Sequence, residues 1–363
     1  MTSAHAEQWE IAPTASMSGE YSDNPRLLLH DAESAYGWIG NFQMEVARST
    51  ERSKVGLQSN LHYAHYTDTD DYDRNDRSLA LDIQHQAEYS QWTTSVQFDR
   101  SNTLTSEFET TGLVRTNKIR EAVAASAGVT HRLSESLAAG SELSWTNNHY
   151  RDAELTGLID YDYGRASLFG EWQASDHSRW SIYANAGELR PALQRPETED
   201  YSLMFRWTFV PWELWTVQAS VGPSLSRSET ERQEGALYAL DVSRRTERGG
   251  WSISGSRERT PTGLGVLVLA DRFSIATNRM LNEQLNVSLQ GVVGRNRDQF
   301  TETAHPVELK YARVEAHLAW RFSPQLRFDL MLASMEQHNS GSPTAQNYSI
   351  ALGFGWHGDP FHL

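Results

Sequence analysis

The feature that most constrains this chain is an alternation of apolar and polar residues with a period of two. In Tyr201–Phe209 the apolar side chains occupy every odd position, and polar Ser202 and Arg206 lie at even positions. The same pattern recurs in Val55–Tyr63, Ala312–Phe322 and Ser349–Trp356. Because successive side chains of a strand point to opposite faces, each segment predicts a strand with one apolar and one polar face.

Strand signals of this kind occur about eighteen times along the chain. The predicted segments run near 9–23, 38–49, 54–67, 77–89, 92–104, 117–133, 137–150, 160–174, 179–189, 198–209, 212–228, 235–244, 250–259, 265–277, 283–296, 309–322, 325–338 and 348–356. Most of them reach or exceed the roughly 9–11 residues with which a tilted strand crosses a membrane.

The connections between these segments alternate between short and long. Short turns are predicted at 50–53, 90–91, 134–135, 175–178, 210–211, 246–249, 278–282 and 323–324. Longer polar loops are predicted at 24–37, 68–76, 105–116, 151–159, 190–197, 229–234, 260–264, 297–308 and 339–347. Outer-membrane barrels have short periplasmic turns and longer extracellular loops. The sequence therefore predicts an all-β fold, a transmembrane up-and-down antiparallel β-barrel of about 18 strands with both termini in the periplasm.

Composition excludes several classes of protein. The chain has 363 residues and no cysteine, which excludes disulfide scaffolds and thiolate sites. Its longest apolar stretch, near Leu264–Ala270, is far shorter than a membrane-spanning helix. A formal charge of −15 disfavours nucleic acid as a partner. A soluble β-propeller would show a repeat of about 40 residues, and the sequence shows none.

Aromatic residues make up 10% of a chain whose mean hydropathy is only −0.58. Many of these rings lie near segment ends, which predicts two aromatic girdles at the membrane interfaces. The barrel is expected to occupy 7–356 as a single domain in the bacterial outer membrane. Residues 1–6 contain an Ala4-His5-Ala6 pattern typical of signal-peptide cleavage and are expected to be a leader remnant. Residues 357–363 are expected to form a C-terminal tail.

The last predicted strand resembles the C-terminal assembly signal of bacterial outer-membrane proteins. That signal has the form polar-x-Gly-x-x-aromatic-x-aromatic, which Ser349, Ala351, Phe354 and Trp356 match with alanine in place of glycine. The resemblance implies recognition by the barrel assembly machinery.

The segment Glu20–Leu27 is similar to a motif in the barrels of bacterial exopolysaccharide export clusters. The resemblance implies an outer-membrane exit for a polysaccharide, working with periplasmic export and co-polymerase proteins. It carries no catalytic or binding residue to this chain.

The polar face of the strands is expected to line a water-filled lumen, because about 18 strands enclose more space than side chains fill. The residues assigned to this face are Glu45, Asp82, Gln84, Gln86, Glu88, Gln97, Asp99, Glu142, Arg165, Phe169, Glu171, Tyr183, Arg206, Asp241, Glu258, Arg313, Glu315, His317, Arg321, Arg327 and Asp329. Both signs of charge occur together with hydroxyl and amide groups, which suits a hydrophilic solute such as a glycan. Phe169 and Tyr183 are rings on which a sugar could stack.

The sequence motifs that could indicate catalysis, a cofactor or a metal site each have a simpler structural explanation. Gly353–Gly358 matches G-x-G-x-x-G, but too few residues follow it to build a phosphate-binding helix. His62 and His65 are three apart on a strand and therefore point to opposite faces. The acidic loop 68–76 offers oxygen ligands for Ca²⁺ without the EF-hand spacing and is expected to be a solvated loop. The sequence thus predicts no enzyme, no cofactor and no metal site.

Four functions fit such a barrel, and the sequence favours the first, an export pore for an exopolysaccharide. The second is a general or sugar-specific diffusion porin for uptake. A porin usually folds one long loop into its pore, and loops of about 14 residues or fewer argue against that here. The third is a non-conducting scaffold, and the fourth is an enzyme located at the rim. Outer-membrane lipid, lipopolysaccharide and the polysaccharide itself are the remaining expected partners.

Overall fold

The computed structural model describes residues 9–67, 72–112, 117–152, 156–192, 195–229, 231–298, 308–340 and 342–362. Its elements are β1 (Trp9–Ser22), β2 (Ala35–Ser49), β3 (Ser53–Tyr66), β4 (Arg74–Gln86), β5 (Ser90–Asn102), α1 (Thr103–Ser106), β6 (Ile119–Arg132), β7 (Leu137–Arg151), β8 (Tyr161–Ser175), β9 (Ser178–Pro191), β10 (Thr198–Phe209), β11 (Trp215–Arg227), β12 (Arg232–Thr246), β13 (Gly249–Pro261), β14 (Leu267–Met280), β15 (Leu285–Asp298), β16 (Glu308–Arg321), β17 (Leu326–Asn339), β18 (Ala345–His357) and β19 (Phe361–His362). Within these ranges, no helix has the length and apolarity needed to cross a lipid bilayer.

The first 18 strands form a closed antiparallel barrel. Each strand from β1 to β18 pairs with its neighbours in sequence, and β1 closes the ring by pairing with β18. The closing seam runs from the pair Thr14 and His357 to the pair Ser22 and Ser349. The predicted up-and-down barrel of about 18 strands is thereby confirmed. Among the described strands, closure leaves no long unpaired edge, so the backbone polar groups of the wall are hydrogen-bonded.

The two ends of the barrel differ in the length of their connections. We call the end that carries the β2–β3 turn and both ends of the described chain the turn end, and the opposite end the loop end. At the turn end, β8 stops at Ser175 and β9 starts at Ser178. At the loop end, β1 stops at Ser22 and β2 starts at Ala35. That the turn end faces the periplasm stays a prediction.

The outer face of the wall is a belt of exposed large apolar side chains. The cross-strand pairs Met17–Phe354, Phe42–Leu61 and Leu79–Phe98 illustrate it, each joining two exposed apolar residues. In water such a continuous apolar surface is unfavourable, whereas the hydrocarbon core of a membrane accommodates it. The alternation in the sequence therefore separates a lipid-facing surface from an enclosed one.

Aromatic rings border this apolar belt at both ends. Near the turn end, Trp180 and Trp207 stack with ring centroids 5.7 Å apart. Near the loop end, Tyr21 and Tyr36 lie 4.7 Å apart. The prediction that rings near segment ends form the girdles fails for Tyr66, Tyr150 and Tyr161, which occupy inward-pointing positions and are buried.

The C-terminal residues extend the seam. β18 continues to His357, and β19 then pairs with Glu10 and Ile11 of β1. The segment expected to be a separate tail thus adds hydrogen bonds between the two ends of the barrel wall. The leader prediction for residues 1–6 lies outside the described residues.

Buried apolar residues gather in three clusters near the loop end. The first joins Leu27, Phe108, Val292, Leu309, Tyr311 and Ala345. The second joins Tyr150, Leu158, Tyr161, Leu189 and Leu267, and the third joins Ala35, Ile39, Ala64, Tyr66 and Tyr72. Loop residues and inward-facing strand residues meet in each cluster. Packing inside this barrel therefore comes largely from loops that fold back into it.

Candidate functional site: the lumen and the segment that crosses it

The register of the strands determines which side chains face the lumen. One inward rung joins Glu142, Ser167, Asn185 and Ser202 on β7 to β10. Along it, the Ser167 hydroxyl donates to Asn185 Oδ1 at 2.7 Å, and Asn185 Nδ2 donates to Ser202 Oγ at 3.0 Å. The lumen wall is therefore built from short polar side chains that hydrogen-bond to one another across strands.

The register places all but one of the predicted lumen residues on this inward side. They are Glu45, Asp82, Gln84, Gln86, Gln97, Asp99, Glu142, Arg165, Phe169, Glu171, Tyr183, Arg206, Asp241, Glu258, Arg313, Glu315, His317, Arg321, Arg327 and Asp329. The prediction for Glu88 is wrong. β4 ends at Gln86, and the Ala87 N–H donates to Ser90 O at 2.7 Å, which puts Glu88 in an exposed turn.

Charged side chains on β16 and β17 pair with one another along the wall. Arg313 Nη2 lies 2.5 Å from Glu315 Oε1. His317 Nε2 and Arg327 Nε each lie 2.9 Å from a carboxylate oxygen of Asp329. These contacts neutralise much of the local charge and hold the long side chains against the wall.

The predicted aromatic pair lies on β8 and β9. Phe169 and Tyr183 stack with centroids 5.3 Å apart, and the Arg206 guanidinium lies 4.4 Å from the Tyr183 ring centroid. Arg206 Nη1 also donates to the Tyr183 hydroxyl at 3.1 Å. Gly140 on β7 leaves space for the Phe169 ring, which packs closely against it. The Phe169 and Tyr183 rings therefore overlap along the wall, and the Arg206 guanidinium lies beside them.

Several lumen acids lack a basic partner. Within the described ranges, Asp82 and Glu142 form no ion pair, and the side-chain contact of Glu45 is with Gln43, whose Nε2 donates at 2.9 Å. These three acids lie on β2, β4 and β7, whereas Arg165 and Arg206 lie on β8 and β10. Acids without a basic partner and arginines such as Arg165 thus lie side by side on the inner face, so the lumen carries charge of both signs.

The connection between β5 and β6 folds into the barrel. Its described part after β5, residues 103–112, is called the crossing segment below. Asn102 caps α1, since its Oδ1 accepts a hydrogen bond from the Leu104 N–H at 2.9 Å. Gly112 ends the described part with φ of +72°, a backbone conformation that favours glycine.

Glu107 anchors the near part of the crossing segment. Glu107 is buried, with only 1% of its surface exposed. Oε1 accepts a hydrogen bond from the Tyr150 hydroxyl at 2.8 Å, and Oε2 accepts from Thr110 and Thr111 at 2.7 and 2.8 Å. Three hydroxyl donors compensate a carboxylate that burial would otherwise make unfavourable.

The far part of the crossing segment reaches the opposite wall. Asn296 Nδ2 on β15 donates to the backbone oxygens of Glu109 and Thr110 at 2.7 and 2.9 Å. The Glu109 carboxylate lies 2.8 Å from Arg272 Nη1 on β14 and 3.8 Å from Arg313 Nη1 on β16. In the ring of strands, β15 lies opposite β6. The segment therefore spans the lumen.

An apolar contact reinforces the far attachment. Phe108 is 4% exposed and packs in the first buried cluster with Val292 and Leu309. Its ring meets Tyr311 edge-on, with centroids 5.8 Å apart. The Phe108 ring thus packs against the inner face of β15 and β16, across the lumen from the strands β5 and β6 that the segment connects.

This geometry corrects the expectation drawn from loop length. Although it begins with the short helix α1, the ten-residue segment contacts both walls, so a modest loop is long enough to cross this barrel. The residues that carry the crossing were missed in the sequence; they are Glu107, Phe108, Glu109, Arg272 and Asn296. An available signal was the aromatic Phe108 between two glutamates in a loop expected to be polar throughout.

Comparison with known proteins supports the fold and little more. No family model matches the chain, and no curated protein matches its sequence. Pseudomonas aeruginosa OccK2 (OpdF) superposes with a TM-score of 0.51 and 9% identity, covering 98% of both chains. Pseudomonas aeruginosa OpdQ gives a TM-score of 0.50 and 9% identity, again covering 98% of both. OccK2 (OpdF) in complex with glucuronate gives 0.50 and 10% identity over 96% of this chain and 98% of that one.

These neighbours are bacterial outer-membrane β-barrel porins with 18 strands. The chain is a bacterial outer-membrane β-barrel protein. At such low identity the likeness establishes the fold and transfers no residue role. The resemblance to export-cluster barrels is not shown by these comparisons.

Proposed function

We propose that this barrel is a diffusion channel for the uptake of small hydrophilic solutes, with the crossing segment as its constriction. The observation that carries the proposal is the attachment of that segment to opposite walls through Glu107 and Glu109. An 18-stranded barrel is too wide for its own side chains to fill. A loop fixed across the lumen reduces that width to a smaller opening and so sets a size limit.

The chemistry of the wall indicates the class of solute. Hydroxyl and amide groups, such as those of Ser167 and Asn185, exchange hydrogen bonds readily with sugar hydroxyls. Arg206 and Arg165 offer planar donors to a carboxylate. A protein of the same fold has been crystallised with glucuronate. Small sugars and sugar acids are therefore the solutes to test first.

Export of an exopolysaccharide, the function favoured by the sequence, finds less support. A polymer needs a continuous wide path, and the crossing segment narrows the path at both of its attachments. The periplasmic export proteins expected from Glu20–Leu27 remain a prediction tied to that function. Enzymatic activity is not expected, since the barrels of similar fold are porins.

Swelling of liposomes that contain the full-length barrel tests the proposal. We expect rapid swelling in isosmotic glucose and glucuronate, slower swelling in sucrose and very slow swelling in raffinose. Liposomes without protein provide the baseline. Equal rates for glucose and raffinose would indicate a wide pore without a constriction, and no swelling in any solute would favour a non-conducting scaffold.

A further inference from the structure

The outer face of the barrel carries a group of arginines just beyond the apolar belt at the loop end. Arg77 lies on β4, Arg100 on β5 and Arg151 on β7, with Glu121 of β6 among them. We call these four residues the arginine rim. The strand alternation points them outward, away from the lumen. Leu79 and Phe98, the next outward pair towards the belt, and Leu61, the register partner of Arg77 on β3, are exposed on the lipid-facing surface.

Arg77 and Arg100 are direct partners in the strand register. Directly opposed side chains lie close together, and two like charges in such a pair destabilise the sheet. The next outward pair below is the apolar pair Leu79 and Phe98, which offers no compensating charge. An anion between the two guanidinium groups would remove this repulsion.

The protein supplies little negative charge to this pair. Arg77 Nε donates to Asn75 Oδ1 at 3.0 Å, and in the described part of the chain Arg77 has no carboxylate partner. Arg100 Nε lies 3.8 Å from Glu121 Oε1, and the same oxygen lies 2.6 Å from Arg151 Nη2. One carboxylate thus contacts two guanidinium groups, those of Arg100 and Arg151, and lies on the side of Arg100 away from Arg77.

A comparable like-charged pair elsewhere on the outer face is compensated by the chain itself. Arg295 of β15 and Lys310 of β16 are register partners. Glu308 forms an ion pair with Arg295 and lies 3.4 Å from Lys310 Nζ. The wall therefore bridges this second pair with its own carboxylate, whereas no carboxylate of the described residues bridges Arg77 and Arg100.

We propose that the arginine rim binds the phosphate of a phosphorylated glycolipid, such as lipopolysaccharide, in the outer leaflet. Guanidinium groups form paired hydrogen bonds with phosphate, and these charge-assisted bonds are stronger than neutral ones. The position of the rim fits a headgroup phosphate, because acyl chains would then lie against Leu61, Leu79 and Phe98. The assignment places the loop end in the outer leaflet, as the connection lengths predict.

Native mass spectrometry of the full-length barrel in neutral detergent tests this proposal. The probes are lipid A with its phosphates, lipid A from which they have been removed, and inorganic phosphate. We expect phosphorylated lipid A to bind roughly tenfold or more tightly than the dephosphorylated form, a preference that the R77Q/R100Q variant should lose. The control variant R190Q removes an outward arginine that Glu188 already pairs with at 2.8 Å, and it should retain that preference.

Three results would overturn the assignment. They are equal binding of both lipid A forms to the wild type, unchanged binding to the folded R77Q/R100Q variant, and equal affinity for inorganic phosphate and phosphorylated lipid A. The last result would assign the rim to soluble phosphate instead. Heat-modifiable gel mobility restricts the comparison to folded barrels. Because the rim lies outside the lumen, solute permeation by R77Q/R100Q should equal that of the wild type.

Discussion

At the scale of single residues, Glu109 contributes negative charge at the far lumen wall. Its carboxylate contacts both Arg272 and Arg313, at 2.8 and 3.8 Å. Arg313 also pairs with Glu315, whereas the described ion pair of Arg272 is with Glu109. Glu109 therefore attaches the crossing segment and also masks positive charge that a passing anion would otherwise meet.

Replacing Glu109 with glutamine should make the channel more permeable to anions. The glutamine keeps the size of the side chain and removes the charge that compensates Arg272. We expect the anion-to-cation permeability ratio to rise by roughly twofold, measured as a reversal potential in a salt gradient. The E234Q variant, which removes an exposed outward carboxylate paired with Arg232, should leave the ratio unchanged. A shift toward cations in E109Q would contradict this account of the lumen charge.

Gly140 is a second residue whose role follows from local geometry. A Cβ atom there would contact the Phe169 ring and the Val129 carbonyl oxygen. At Gly170, on the neighbouring strand β8, no atom lies within 4 Å of the position that a Cβ atom would take. The two glycines lie on neighbouring strands, Gly140 on the inward face and Gly170 on the outward face, and only Gly140 is crowded.

We expect G140A to lower the free energy of unfolding by about 1–3 kcal/mol, because backbone and ring must shift to accept the methyl group. G170A should change it by less than about 0.5 kcal/mol. Urea unfolding in lipid vesicles, followed by tryptophan fluorescence, measures both. Equal effects of the two substitutions would show that the Phe169 ring does not depend on the space above Gly140.

At the scale of elements, β18 closes the barrel and also carries the predicted assembly signal. Its outward residues Phe354 and Trp356 belong to the predicted assembly signal, whereas Ser349 and Ala351 point into the lumen. Leu352 is also outward and 48% exposed, but it lies outside the signal pattern. The strand therefore contains a control for any effect of lost apolar surface.

Phe354→Ala should slow delivery of the barrel into the outer membrane more than Leu352→Ala does. Both changes remove exposed apolar surface, and only the first alters the signal. We expect the amount of folded F354A in outer-membrane fractions to fall roughly threefold or more below that of the wild type. L352A should remain near the wild-type amount, because it removes a similar apolar area without altering the signal. Similar losses for the two variants would argue that the pattern is not read as a signal.

Elements of the wall were largely predictable, because alternation is a local property of the sequence. The predicted segment 179–189 corresponds to β9 (Ser178–Pro191), and 160–174 corresponds to β8 (Tyr161–Ser175). The prediction was less accurate for β4, which starts at Arg74 instead of near 77. There the first residues are polar on both faces, so the alternation does not show where the strand begins.

The crossing segment could not be placed from the sequence for a physical reason. Its far contacts join residues 186 and 187 positions apart, such as Asn296 with Thr110 and Glu109. Periodicity describes which face a side chain takes on its own strand and contains no information on where a loop will dock. The same limit explains the inward burial of Tyr150 and Tyr161, which share a cluster with Leu267 of the distant strand β14.

At the scale of the whole molecule, low mean hydropathy and many aromatic rings have one cause. The wall separates water inside from lipid outside, so polar and apolar residues alternate, and averaging along the chain conceals both. The barrel supplies a wide polar lumen, and the crossing segment divides it. The central claim is that this segment, held at Glu107 on one side and at Phe108 and Glu109 on the other, limits the width of the channel.

The single-channel conductance of the F108A/E109A variant tests this claim most directly. The double substitution removes the ring in the far apolar cluster and the carboxylate at Arg272, so the segment should leave the far wall. We predict that conductance in planar bilayers rises by roughly twofold or more relative to the wild type, with frequent steps between levels. An unchanged, steady conductance in a correctly folded variant would show that the crossing segment does not limit the channel.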